Sequence, residues 1–117
     1  MQGKEKIAVC QAVTQLVLAD GQVRDAEWEL LDRLAERLGL SPEERKRARQ
    51  ADAGGDARRL LADLGDEARA TLLDELAAAA VVDGELGKSE RQILTEVAEA
   101  LGQDQAAVEA ALTKARG

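Results

Sequence analysis

The sequence has no histidine, no phenylalanine and no tyrosine, and only one cysteine, one tryptophan and one proline. Without histidine, and with Cys10 alone, one chain cannot assemble a zinc centre of the usual His/Cys kind, a His-based catalytic triad or an internal disulfide. β-Branched and aromatic residues are scarce and never alternate with polar ones over a useful run, so the signal for strands is missing. Positive charge is short as well: 16 Lys and Arg stand against 23 Asp and Glu, a net charge of −7. Sequence-independent binding to nucleic acid works by neutralising phosphates, and anionic membranes make the same demand, so neither is an expected partner. The one basic stretch, Arg45-Lys46-Arg47 with Arg49, follows Glu43-Glu44 and reads as a solvated helix face. Long apolar runs are absent too. The first is interrupted by Gln11, Thr14 and Gln15 before Asp20-Gly21, which fits neither a signal peptide nor a membrane span. The expected location is the cytoplasm.

What remains is rich in Ala and Leu, both strong helix formers. The 117 residues amount to one domain's worth, long enough to bury roughly two-thirds of the unfolded surface. The expectation is a single all-α domain spanning 1–117, a compact bundle of about seven helices. The first runs from about Lys4 to Ala19 with Ile7, Val9, Val13, Leu16 and Val17 inward, and Cys10 reads there as a small core residue. The second runs from about Asp25 to Leu38 with Trp28, Leu31, Leu34, Ala35 and Leu38 inward, so that Trp28 is expected to be buried. Ser41-Pro42-Glu43-Glu44 is a helix start with a capping box, opening a polar third helix to about Ala51. Asp56 can cap a short helix over Ala57 to Leu64. The next begins at Gly65-Asp66 and ends in "LAAAAVVDG", apolar on every side and so expected to be the most buried. Two more follow, from about Lys88 to Leu101 and from Asp104 to Ala115.

The chain repeats itself. "LADGQVRDAEWELLDRLAERLGL" (18–40) aligns without gaps on "VVDGELGKSERQILTEVAEALGQ" (81–103) at a constant offset of 63 residues. The two units are expected to pack as a pseudo-symmetric pair of helical hairpins; two copies are too few for a solenoid.

Each copy carries an Asp-Gly-x-apolar-x-x-x-Glu spacing: Asp20, Gly21, Val23 and Glu27, then Asp83, Gly84, Leu86 and Glu90. This is the back half of an EF-hand loop. The first and third ligand places fall on Leu16 and Leu18, or on Ala79 and Val81, none of which binds a cation, so an EF-hand is rejected. Two readings stay open. In one, Asp accepts bonds from freed backbone N–H groups and Glu, in the first turn of the next helix, reaches back to the loop; the motif is then a joint. In the other, Asp20, Glu27, Asp83 and Glu90 form a weak, partly hydrated divalent-cation site, which suits Mg²⁺ somewhat better than Ca²⁺. If the two turns share one end of the domain, four carboxylates converge and a cation relieves their repulsion.

The doubled pattern, "ADG-apolar…E…LL…LAERLGLSPEE" followed by "VVDG-apolar…E…IL…VAEALG", resembles the TerB-like family, which includes tellurite-resistance TerB and the N-terminal region of some DnaJ-type membrane co-chaperones. The resemblance covers about Ile7 to Leu112. It implies an all-helical fold of about seven helices and a non-catalytic cytoplasmic module linked to tellurium-oxyanion and general stress responses. It also implies membrane-associated protein partners and cation binding by the acidic motif residues, here Asp20, Glu27, Asp83 and Glu90. Arg24 and Gly87 depart from it, since family members often place a Ser or Thr cap there. An enzymatic reading finds no support in the residues: carboxylates can serve as acid and base, but no histidine, nucleophile elbow or phosphate loop accompanies them.

Overall fold

The computed structural model describes residues 3–19, 25–50, 56–81 and 87–116. Within them lie seven helices: α1 (Gly3–Ala19), α2 (Asp25–Arg37), α3 (Pro42–Arg49), α4 (Ala57–Ala62), α5 (Asp66–Ala80), α6 (Lys88–Ala100) and α7 (Gln105–Arg116). No strand occurs among the described residues. The all-α expectation holds, and the boundaries move by a few residues at most.

The internal repeat proves longer than the hairpin visible in the sequence. Displaced by 63 residues, α2 falls on α6 from first residue to last, the start of α1 on the start of α5, and the start of α3 on the start of α7. The unit that is duplicated is therefore three helices, with α4 between the copies. Hydrogen bonds keep the same register. After α2, Gly39 N–H donates to Glu36 C=O at 2.9 Å and Leu40 N–H to Ala35 C=O at 3.0 Å. After α6, Gly102 N–H donates to Glu99 C=O at 3.0 Å and Gln103 N–H to Ala98 C=O at 2.8 Å. Each pair closes a helix by turning one residue into the left-handed region, which only glycine does without strain. Gly39 has φ +82° and Gly102 φ +76°. Replacing either by alanine is expected to cost about 1 kcal/mol, equally in the two copies, as chemical denaturation would show.

The next helix starts alike in both copies. Ser41 Oγ accepts from Glu44 N–H at 3.2 Å while the Glu44 carboxylate accepts from Ser41 N–H at 2.9 Å, the capping box read from the sequence. These bonds hold the Glu44 carboxyl below its ordinary range. Sixty-three residues on, Asp104 Oδ1 accepts from Ala107 N–H at 3.0 Å. Asp56 departs from expectation: it stands at the start of α4 but its side chain makes no capping bond, its backbone being in a conformation (φ −97°, ψ 60°) unlike the extended one of an N-cap.

Burial follows the repeat as well. Val9, Cys10, Val13, Leu16 and Val17 of α1 are buried, and so are their counterparts Leu72, Leu73, Leu76, Ala79 and Ala80 of α5. Buried residues from both copies and from α4 join in one core. Alanines in the last turns of α5 let neighbouring helices approach closely, and α5 packs against α2, α6 and α7. The expectation that this stretch is buried on every side holds for Leu76, Ala77, Ala79 and Ala80, all at 1% exposure or less, and fails for Ala78 and Val81, which are half-buried.

Trp28 does not follow expectation. It is half-buried against the core edge rather than enclosed, with the Arg49 guanidinium 5.5 Å from the ring centroid. The other expected residues, Leu31, Leu34, Ala35 and Leu38, are buried, and Leu30 joins them. A large ring at the first turn overhangs the core because its neighbour α3 is polar there.

Cys10 is the core residue the sequence predicts, 4% exposed. Burial pushes its thiol from an ordinary 9.0 up to about 12. Above pH 9 the unfolded chain ionises its thiol while the folded one keeps the proton. The contribution is therefore intact below about pH 9 and lost as pH rises toward 12. Melts of the chain and of Cys10→Ala across this window should differ in pH dependence, and thiol reagents should modify native Cys10 only through unfolding.

Candidate functional site

Of the four acidic residues singled out by the sequence, Glu27 and Glu90 lie within the described residues; Asp20 and Asp83, with the turns that hold them, lie outside. Glu27 is in the first turn of α2 and Glu90 in the first turn of α6, at equivalent places and both half-buried. Glu90 is the third helical residue after the extended N-cap Gly87 (φ −72°, ψ 162°), the position from which a carboxylate can reach back over its own helix start. It does so here: a Cβ placed on Gly87 would stand 3.4 Å from Glu90 Oε1. The carboxylate thus sits by the positive end of the helix dipole. Gly87 offers no side-chain cap, and Glu90 leans over the space that a Ser or Thr side chain would fill there.

Among the described residues, no group of three or more Asp, Glu or Cys side chains is gathered as a metal ion would require. The convergence of all four motif carboxylates involves Asp20 and Asp83 and falls outside the described residues.

The basic stretch on α3 is more than a solvated face. Arg45 pairs with Glu36 at 2.7 Å, and Arg49 pairs with Asp32 through both a 3.0 Å bond from Nε and a closer one from its terminal nitrogen. Both arginines reach from α3 to α2. Their counterparts in the second copy are the buried Val108 and Leu112 on α7. Where one copy packs apolar residues, the other holds its third helix with exposed ion pairs, each worth on the order of 0.2–1 kcal/mol.

A second feature escaped the sequence reading. A groove of about 510 Å³, open to solvent, runs between α2, α5 and α7. Two ion pairs cross its rim, Arg37–Glu75 at 2.8 Å and Lys114–Asp74 at 2.9 Å. Each joins residues about 40 positions apart, so no local spacing betrays them. The available signal was the repeat itself, which sets Glu75 and Arg37 opposite Ala12 and Ala100. Among the described residues, no helix is long and apolar enough to cross a membrane.

Comparison with known proteins adds to this geometry. The family described as tellurite resistance protein TerB matches residues 1–50 and 51–113. A crystal structure of a protein of unknown function from Porphyromonas gingivalis W83 shares the fold with a TM-score of 0.69, covering 99% of this chain and 96% of that one, at 22% identity. No curated protein matches the chain. With helices, repeat and matched span in agreement, the chain belongs to the TerB family.

Proposed function

We propose that this chain is a non-enzymatic, cytoplasmic interaction module of the tellurite-resistance and stress-response kind, carrying a weak divalent-cation site at Asp20, Glu27, Asp83 and Glu90. The observation that carries the reading is the placement of Glu27 and Glu90. They hold the same position in two copies of one helix, half-buried, each following its copy's Asp-Gly pair by the same spacing. Two carboxylates per copy, with a backbone carbonyl, supply part of a shell that water completes, which suits Mg²⁺ better than Ca²⁺.

The second reading is a purely protein-binding adaptor in which the same residues are joints. The lean of Glu90 toward Gly87 favours it, since a carboxylate lying over its own helix start answers the helix dipole without a cation.

Thermal melts at matched ionic strength separate the two. A cation present at a hundred times its Kd stabilises the folded state by ~2.7 kcal/mol, a rise in Tm of about 10 °C for a chain of this size. The rise is expected with Mg²⁺ or Mn²⁺ and should vanish in Asp20→Asn/Asp83→Asn. No rise, or an equal rise in the double variant, decides for the adaptor.

A further inference from the structure

The two copies hold their third helices by different means. α7 buries Val108, Ala111 and Leu112. At the same three places α3 has Arg45, Ala48 and Arg49, and of its eight residues only Ala48 is buried. What else ties α3 down is polar and open to water. Arg45 pairs with Glu36, and Arg49 pairs with Asp32 while lying over the half-buried ring of Trp28. Gln11 Nε2 donates to Arg47 C=O at 3.1 Å, again in an exposed setting. Exposed ion pairs are weak and screened by salt, and so short a helix is marginal once its packing is lost. A segment with few buried apolar groups and solvent-exposed bonds is one that opens on its own at low cost.

Beneath it lies Cys10. α3 packs against α1 and α2. Cys10 of α1 lines a void of about 10 Å³ with Leu31 and Leu34 of α2 and with Arg45, Ala48 and Arg49 of α3. We infer that α3 is a flap held down by charge, which opens over Cys10 while the other six helices stay folded. Its departure takes one alanine side chain out of the shared core, so the remainder keeps almost all of its buried residues. The unfolding that admits a reagent to Cys10 is then the opening of α3, not the collapse of the chain. α7, with three buried residues in the equivalent turns, has no such freedom. The duplicated unit thus carries one fixed and one detachable third helix.

The test uses the full chain and methyl methanethiosulfonate, a small thiol reagent. The Cys10 thiolate attacks its divalent sulfur, methanesulfinate leaves, and mass spectrometry follows the mixed disulfide; with one cysteine there is one product. Amide hydrogen exchange is read in parallel at Ala48 and Leu112. Labelling is expected to be far slower than in the urea-unfolded chain, yet to rise only weakly with low urea, in step with exchange at Ala48. Exchange at Leu112 should show the steep urea dependence of global unfolding. Asp32→Asn/Glu36→Gln, with folding verified by circular dichroism, removes both ion pairs and should speed labelling at least about threefold without altering exchange at Leu112. Labelling that shares the urea dependence of Leu112, or that the double variant leaves unchanged, would overturn the inference. So would labelling as fast as in the unfolded chain, since α3 would then cover nothing.

Discussion

Ala77→Glu is expected to leave the chain without a stable fold. Ala77 is fully buried in the last turn of α5, the helix that meets α2, α6 and α7. A carboxylate there is removed from water, an effective penalty of several kcal/mol, against a total stability on the order of 5–15 kcal/mol. Its counterpart Thr14 shows what a polar group needs at this depth: the hydroxyl donates to Cys10 C=O at 2.8 Å, four residues back. An ionised carboxylate has no hydrogen to donate. Ala78→Glu, one residue on, places the same charge at the open groove and should be tolerated. Far-UV circular dichroism and gel filtration of the pair would show collapse in one and a native profile in the other; two native profiles would mean that α5 is not central.

Leu94→Ala carries the second large effect. Leu94 is fully enclosed in α6, and truncation removes its transfer free energy and leaves a cavity, about 3 kcal/mol in all. For a chain of this length that lowers Tm by about 10 °C. Leu31 holds the matching place in α2 and is 6% exposed, so Leu31→Ala should follow closely and slightly less severely. Thermal and urea melts check both. A loss confined to one of the two would show that the copies do not share a core on equal terms.

Much of this architecture is legible in the residues. Helix ends are marked locally: Gly39 and Gly102 stop helices because only glycine turns left without strain, and Ser41 with Glu44 starts one because the cap is closed within four residues. The wide apolar faces of α1 and α5 are equally plain. Trp28 was misplaced because hydrophobicity ranks a residue for burial without saying what its neighbour provides, and here the neighbouring helix offers Arg49. The third helix of each copy hid the true size of the repeat. Arg45 and Arg49 stand where Val108 and Leu112 stand, so residue types diverge while positions agree. The groove was invisible for a related reason. Its ion pairs, Arg37–Glu75 and Lys114–Asp74, join segments about 40 residues apart, beyond the reach of any local spacing. As for the acidic motif, spacing located its four residues, but whether they meet depends on how two turns are set in space, which periodicity does not encode.

The central claim is that one three-helix unit occurs twice, in one register, with its bends and caps reproduced 63 residues apart. Through-hydrogen-bond scalar couplings on the ¹³C,¹⁵N-labelled chain measure this directly. Couplings are expected from Gly39 N to Glu36 C′ and Leu40 N to Ala35 C′, and again from Gly102 N to Glu99 C′ and Gln103 N to Ala98 C′. Couplings in only one copy, or a partner displaced by even one residue in the other, would contradict the duplication.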